Sequence, residues 1–204
     1  MQQFISDYLA TVTQAIGQLN PAELEAVANA LFEAYQNDKQ IFTMGNGASA
    51  ALASHMACDW GKGTSTDLGT GTQVTGVKRL RIIGLADNVA LMTAYGNDVR
   101  YEDIFVEQLK NLMNPGDVVL GISGSGGSPN VLRGLEYARA KGAVTIGFTG
   151  NQPKAQMMRD VCNITLAAPL TLMEQIEDLH VIFHHVVSLV LRQMVFSSQG
   201  KTWR

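Results

Sequence analysis

The chain has 204 residues, of which 46% are hydrophobic and 16% are charged, and its formal net charge is −3. A chain of this length can bury a full hydrophobic core, so we expect a single α/β domain over residues 1–204. The charge balance has no basic excess, which argues against nucleic-acid binding. Low charge with many apolar residues favours an oligomer, because subunit interfaces take up apolar surface.

The first residues lack a basic segment and a long apolar core, so they do not have the pattern of a signal peptide. No uncharged apolar run reaches transmembrane length. The two cysteines, Cys58 and Cys162, have neither disulfide-framework density nor the paired spacing of zinc ligands, which fits a reducing compartment. We therefore expect a cytoplasmic protein with no membrane partner.

Two amphipathic helices are predicted before the first strand. Apolar residues recur at helical spacing over residues 2–19. Asn20 and Pro21 then provide an N-cap and a first position for a second helix that runs to about Asn37. This helical pair, residues 1–37, could cover one face of a sheet or form a partner interface, and the sequence does not decide between them.

Strands alternate with helices over residues 38–196. The predicted strands are 40–44, 80–85, 117–122, 143–148 and 162–167. The predicted helices are about 50–60, 89–96, 101–112, 128–141, 153–158 and 172–196, with a mobile Gly/Thr-rich loop at 61–76 and a frayed tail at 197–204. This alternation predicts a parallel sheet with helices on both faces, a three-layer α/β sandwich of the flavodoxin-like kind.

The stretch GISGSGGSPN, residues 121–130, follows a buried strand and opens a helix. Its glycines let the backbone approach a ligand, and Ser123, Ser125 and Ser128 add hydroxyl groups to the free N–H groups of the helix start. Ser128 is a natural N-cap, with Pro129 at the first helical position. The pattern favours a phosphate site, although an ordinary loop rich in turn residues is the alternative.

A second loop, GNGASA at residues 45–50, also joins a strand to a helix. It fits the loose dinucleotide pattern G-x-G-x-x-G/A. The acidic residue at the matching offset, Asp67, falls in the Gly/Thr-rich loop rather than at the end of a second strand, so the structural context of that fingerprint is missing.

The two loops together resemble the SIS (sugar isomerase) domain, and within that family the sedoheptulose-7-phosphate isomerases, or phosphoheptose isomerases. The resemblance spans almost the whole chain. It includes the two leading helices, the helix with His55, the run Leu-Ala-Asp-Asn at 85–88, the run Tyr-Gly-Asn-Asp at 95–98, and the last helix with its histidines.

The resemblance implies a phosphosugar substrate. The residues that it assigns to substrate binding are Asn46, Gly47, Ser49, Asp87, Asn88, Ser123, Ser125, Ser128 and Glu177. The chain departs from the family pattern near these positions. Gly124 stands where the family has Thr, Ala48 replaces a common Gly, and a family Arg has no clear counterpart, with Lys62 the nearest cation.

Titratable residues concentrate on two of the predicted helices. His55 and Asp59 are four apart on one helix, a spacing that suits either a surface ion pair or a shared ligand. The last helix is otherwise apolar but carries Glu174, Glu177, Asp178, His180, His184 and His185. Such groups are costly to bury unless they are paired or coordinated. They either bridge neighbouring elements at a subunit contact or, with His55, donate to zinc.

By resemblance, the metal ligands are His55, Asp59, Glu177 and His185, and the metal is Zn²⁺. Asp59 replaces a family Glu, and Glu177 replaces a family Gln. Glu177 and His185 are about 80° apart around an ideal helix, whereas Glu177 and His184 nearly coincide, so His184 is the alternative ligand.

The implied reaction is an aldose–ketose isomerisation through an enediol(ate), with Asp59 and His185 as the acid/base pair. The family also implies a homotetramer with sites between subunits. The rival hypothesis is a non-catalytic regulator, because some SIS proteins only bind partners, including a chromosomal-replication initiator protein.

Overall fold

The computed structural model describes residues 1–67 and 70–201. Its five strands form one parallel sheet in the order β2-β1-β3-β4-β5. The strands are β1 Gln40–Gly45, β2 Arg81–Gly84, β3 Val118–Ile122, β4 Val144–Thr149 and β5 Ile164–Ala167. The helices are α1 Gln2–Ile16, α2 Pro21–Gln36, α3 Ala48–Gly61, α4 Val89–Asp98, α5 Ile104–Leu112, α6 Pro129–Ala140, α7 Ala155–Val161 and α8 Met173–Ser198. The predicted α/β sandwich is confirmed.

The sheet is apolar on both faces because its strands are rich in β-branched and other apolar residues. All five residues of β3 are buried, and its side chains alternate, with Val118 and Leu120 towards one core and Val119 towards the other. The first core joins the sheet to α2, α3 and α8. The second joins it to α5, α6 and α7. Both helices that carry the titratable residues, α3 and α8, therefore lie on the same face of the sheet.

The two predicted N-caps differ in how they act. The Asn20 side chain accepts a hydrogen bond from the backbone N–H of Ala22 at 3.0 Å, and Pro21 begins α2, as the sequence predicts. Ser128 also lies at the N-cap of α6, but its hydroxyl makes no capping bond. Its Oγ lies 2.9 Å from Oγ of Ser123 instead, so it belongs to the serine loop rather than to the helix end.

Two segments are more regular than the sequence predicts. In the Gly/Thr-rich loop, a 3₁₀ helix spans Gly63–Ser65 and an antiparallel bridge pairs Thr66 with Gln73, while residues 68–69 lie outside the described residues. At the other end, α8 continues to Ser198, and residues 202–204 of the predicted tail lie outside the described part of the chain.

The last helix, α8, is long and apolar enough to cross a membrane by length and composition. Half of its most apolar stretch is buried inside the fold. Leu179, Phe183, Val187 and Leu191 all belong to the core shared with α2 and α3. We therefore interpret α8 as the core helix of this domain.

Candidate active site

The polar loops predicted from the sequence meet at one edge of the sheet. β1 and β3 are neighbours, and the loops that follow Gly45 and Ile122 leave their carboxyl ends side by side. The strand order 2-1-3-4-5 places the change of winding direction between these two strands, where open α/β sheets bind ligands. The structure thus brings the two loops into one crevice.

The serine loop is a cluster of hydroxyl groups and free backbone donors. Oγ of Ser123 lies 2.9 Å from Oγ of Ser128 and 3.5 Å from Oγ of Ser125. The backbone N–H groups of Gly124 and Ser125 have no partner among the described residues. Gly126 adopts a positive φ of 73° beneath the loop, which favours glycine. Hydroxyl and N–H donors on one concave turn at a helix start are suited to a phosphate group.

The first loop is tied to the serine loop by paired side-chain amides. Nδ2 of Asn46 donates to Oδ1 of Asn130, and Nδ2 of Asn130 donates to Oδ1 of Asn46, both at 2.8 Å. The hydroxyl of Tyr101 also donates to Oδ1 of Asn46, at 2.9 Å. Gly47 has a φ of 56°, a conformation that other residues rarely adopt, and it places Ser49 in the first turn of α3. Asn130 and Tyr101 were not identified from the sequence.

The residues after β2 lie at the same edge, with partners of their own. The carboxylate of Asp87 accepts a hydrogen bond from the hydroxyl of Ser54, on α3. Asn88 caps α4, since its side-chain oxygen accepts from the N–H of Leu91 at 3.0 Å. Asp87 therefore faces α3, whereas the oxygen of Asn88 is engaged in holding the start of α4.

A group of four titratable side chains lies between α3 and α8. Ligand atoms of His55, Asp59, His184 and His185 all lie within 4.8 Å of one another. Oδ2 of Asp59 is 3.0 Å from Nε2 of His184 and 3.3 Å from Nε2 of His55. Three imidazoles and one carboxylate are a donor set that zinc and similar divalent ions accept. The residues therefore fit a metal ion, and we call them the four-residue cluster.

Glu177, the remaining ligand implied by resemblance, is not part of the four-residue cluster. It precedes His184 by seven residues, which is about 10 Å along the axis of a helix. Glu177 instead lines a cavity of about 180 Å³ at the start of α3, together with Ser49 and His180. Among the described residues, Glu177 and His184 therefore do not belong to one group of ligand atoms, although they nearly coincide around the helix axis.

Buried polar groups hold the four-residue cluster from behind. His184 is fully buried, and its burial lowers its pKa to about 4 despite the neighbouring carboxylate of Asp59. The hydroxyl of Ser188 donates to the backbone oxygen of His184 at 2.7 Å. It accepts from the indole N–H of Trp60, also at 2.7 Å. This chain of contacts fixes the part of α8 that carries His184 against the end of α3.

Comparison with known proteins agrees with this geometry. The SIS domain model matches residues 3–150. The chain is 33% identical to the phosphoheptose isomerase of Burkholderia pseudomallei over 87% of this chain and 85% of that protein. It is 33% identical to the phosphoheptose isomerase of Aliarcobacter butzleri over 92% and 94%. The solved phosphoheptose isomerase of Francisella tularensis superposes with a TM-score of 0.81 at 25% identity, over 94% of this chain and 98% of that one.

The chain belongs to the SIS domain family. The relatives of this SIS protein are phosphoheptose isomerases along most of their length, so it is an isomerase of phosphorylated sugars. A second solved relative, the phosphoheptose isomerase of Neisseria gonorrhoeae, has a TM-score of 0.79 at 26% identity, over 93% and 97% of the two chains. The family resemblance read from the two loops is confirmed.

Arg192 is a cation beside the four-residue cluster of this SIS isomerase. A Cβ added at Gly63 would lie 2.7 Å from Nη2 of Arg192, so the Arg192 guanidinium occupies the space beside the start of the 3₁₀ helix. Burial lowers the pKa of Arg192, and the charge of Asp59 opposes that effect. Arg192 lies on α8, far from Gly63 in the chain, so no local sequence pattern indicated it.

A larger open cavity, of about 590 Å³, lies at the opposite edge of the sheet. It is lined by α2 and by the first residues of β3, β4 and β5, namely Val118, Val144 and Ile164. In this fold the ligand crevice is at the carboxyl ends of the strands. Size therefore does not identify the active site of this SIS isomerase; the polar groups at the carboxyl edge do.

We expect Ser188→Ala to destabilise the fold by about 1–3 kcal/mol, because the buried indole N–H of Trp60 would lose its only acceptor among the described residues. Urea unfolding measures this change. Thr13→Ala is the control, since Thr13 is exposed and its hydroxyl donates within α1, to the carbonyl of Leu9. Equal free energies of unfolding for the two variants would contradict the role assigned to Ser188.

Proposed function

We propose that this SIS protein converts sedoheptulose 7-phosphate to a heptose 7-phosphate, with a bound Zn²⁺. The observation that carries the proposal is that α3 connects a phosphate-type site to the four-residue cluster. Ser49 lies in its first turn beside the serine loop, and His55 follows six residues later, about 9 Å along the helix. An extended seven-carbon chain with bonds of about 1.5 Å covers roughly that distance.

The phosphate group is proposed to lie against Ser123, Ser125, Ser128 and Ser49. Hydroxyl groups and backbone N–H groups supply the donors, and the start of α6 adds its partial positive charge. The sugar chain then lies along α3. The further contacts that we propose for it are Asn46, Gly47, Asp87, Asn88 and Glu177.

The metal is proposed to be held by His55, Asp59 and His185, with His184 as the fourth donor in place of Glu177. When bound, such an ion polarises a carbonyl oxygen and stabilises the negative charge that develops on it. The support for His184 is its position, 3.0 Å from Asp59 and within 4.8 Å of the other two histidines. Glu177 is proposed to contact the substrate only.

Asp59 and His185 are proposed to move the protons. The carboxylate of Asp59 removes the proton from the carbon beside the carbonyl, which leaves an enediol(ate) on the sugar. A proton returns to the neighbouring carbon, and His185 transfers protons between the two sugar oxygens. No atom is gained or lost, as an isomerisation requires. Both side chains are accessible, since Asp59 is partly exposed and His185 is exposed.

We further propose a homotetramer in which a neighbouring subunit covers the site. The support is an exposed apolar surface beside His185, formed by Val181, Val186, Leu189 and Val190 of α8. A second exposed apolar surface lies on α1, at Phe4 and Leu9. Light scattering of the purified protein measures the subunit number. A cytoplasmic location completes the proposal.

The reaction is tested by conversion of sedoheptulose 7-phosphate before and after chelation. We expect turnover in the metal-loaded protein, loss of turnover after chelation, and recovery when Zn²⁺ is added back, because the cluster donates to a metal. Metal content is measured on the same samples. Full turnover in protein shown to be metal-free would overturn the metal proposal, and no turnover in the zinc-loaded protein would overturn the reaction.

A further inference from the structure

A chain of side-chain hydrogen bonds joins the start of α6 to the loop that follows β1. Its members are Asn130, in the first turn of α6, Asn46, directly after β1, and Tyr101, in a short 3₁₀ helix that follows α4. Asn130 is 2% exposed, whereas Asn46 is partly exposed at the carboxyl edge of the sheet. The chain therefore leads from a buried helix start to an accessible amide beside the crevice.

The direction of every bond in this chain follows from one backbone group. The N–H of Val131 can only donate, and it lies 3.0 Å from Oδ1 of Asn130. This contact identifies the oxygen of the Asn130 amide, so the nitrogen of that amide donates to Asn46, at 2.8 Å. The atom of Asn46 that accepts this bond is therefore Oδ1. The hydroxyl of Tyr101 lies 2.9 Å from the same oxygen, so it too is a donor.

These directions leave Asn46 with a donor and no acceptor. An amide oxygen has two lone pairs, and both are engaged, one by Asn130 and one by Tyr101. The amide nitrogen has two hydrogens, of which one is donated to Oδ1 of Asn130. The second has no acceptor among the residues that the structure describes. Asn46 can therefore offer a ligand one N–H group, which suits an oxygen that accepts.

The segment that carries Tyr101 is itself anchored to α6. Asp103 is buried at the end of the 3₁₀ helix, and its carboxylate accepts hydrogen bonds from the guanidinium groups of Arg100 and Arg133. Arg133 belongs to α6, and its Nε lies 2.6 Å from Oδ1 of Asp103. Two charge-assisted bonds to one carboxylate fix the 3₁₀ helix beside the site. Tyr101 is 55% exposed, so its hydroxyl reaches Asn46 without a large part in the core.

We propose that Tyr101 and Asn130 are positioning residues, which act through Asn46 and restrict its amide to donating to an oxygen of the bound sugar phosphate. The inference rests on the proposed function. An asparagine without such partners can turn either its oxygen or its nitrogen towards a ligand. With Oδ1 of Asn46 engaged twice, only the nitrogen is available, and an oxygen that carries or gains negative charge is favoured. That oxygen belongs to the phosphate group or to the sugar chain.

Tyr101→Phe is the test, because it deletes only a hydroxyl group from an exposed ring. The probes are inorganic phosphate and the alcohol made by reducing the ketone of sedoheptulose 7-phosphate, which cannot isomerise. We expect titration calorimetry to show that the sugar alcohol phosphate binds about two- to tenfold more weakly, the range of one net hydrogen bond. An equal loss for inorganic phosphate assigns the accepting oxygen to the phosphate group, and no loss assigns it to the sugar chain.

Tyr137→Phe is the matched control. Tyr137 lies near the other end of α6, and its hydroxyl makes no hydrogen bond with the residues that the structure describes. The same chemical change at this position should leave the affinity for both probes at the wild-type level.

A double variant shows whether Tyr101 acts through Asn46. In Asn46→Ala the Tyr101 hydroxyl has no amide to orient, so the addition of Tyr101→Phe should weaken binding no further. A purely structural effect of Tyr101 would persist and would add to that of Asn46→Ala. Wild-type affinity for the sugar alcohol phosphate in Tyr101→Phe, or additive losses in the double variant, would overturn the inference. Failure of the isomerase proposal is a separate result, namely tight binding without turnover of the ketose.

Discussion

Asp59→Asn is expected to lower kcat by at least about 100-fold, because the amide has the shape of the carboxylate but cannot take a proton at neutral pH. The neutral amide would also donate less charge to a metal between His55 and His185, so metal content should fall. Steady-state turnover of sedoheptulose 7-phosphate and metal analysis measure the two effects. Asp160→Asn, on the exposed surface of α7, is the matched control and should keep both at the wild-type level.

A longer side chain at the same position provides a sharper form of this prediction. The Asp59 side chain is one methylene shorter than a glutamate, and its carboxylate lies 3.0 Å from Nε2 of His184. Asp59→Glu moves the carboxylate by roughly 1.5 Å, and a displacement of that size can cost on the order of 100-fold in rate. We therefore expect a loss of turnover. Turnover at or above the wild-type rate would show that the cluster adapts to the family's glutamate.

The fold was predictable because each strand is a short apolar run and each functional loop follows one. All five predicted strands are present in the sheet, with ends that differ by no more than two residues from the prediction. The adjacency of β1 and β3 was not contained in that pattern, since it depends on which strands pair in space. From the sequence, only the family resemblance predicts that the two loops form one site; the pairing of β1 with β3 explains why they do.

The candidate metal site was predictable in part. His55 and Asp59 are one helical turn apart, so their proximity follows from the spacing alone. Matching by position to the family gave Glu177 and His185, whereas the structure groups His184 with His185 and leaves Glu177 in the adjacent cavity. Helix rotation indicated His184, but rise along the axis separates it from Glu177. The choice of ligands remains a prediction for metal-loaded protein.

The supporting contacts could not be predicted, because their partners are far apart in the chain. Trp60 meets Ser188, and Asn46 meets Asn130, only after the helices pack on the sheet. The sequence marks His180 only as one of several polar residues on α8. Its ring nitrogen Nε2 meets a backbone carbonyl at the end of β4, and nothing in the local sequence fixes that contact.

Gly45→Ala is expected to impair both the fold and the phosphate site. Gly45 ends β1, and a Cβ at this position would lie 2.7 Å from the backbone carbon and oxygen of Ser49. The obstacle is the backbone of the first turn of α3, so no side-chain rotation can remove it. Overpacking of this kind costs about 1–3 kcal/mol, and we expect urea unfolding to show a loss of that size or more.

We expect Gly45→Ala also to displace Ser49 from the serine loop. A loss of activity in the folded variant would show that Gly45 positions the site, whereas a loss of stability alone would show only a packing role. A shift of about 1 Å at a substrate-positioning residue can reduce the rate on the order of 100-fold, so kcat/KM should fall even at temperatures where the variant is folded. Gly17→Ala is the control: Gly17 has a φ of −66°, and an added Cβ would come no closer than 3.4 Å to another atom, the backbone oxygen of Gln14. Replacement there should be neutral or stabilising, since alanine reduces the freedom of the unfolded chain. If Gly45→Ala matched Gly17→Ala in unfolding free energy and in kcat/KM, the close approach of β1 to α3 would not be what positions Ser49.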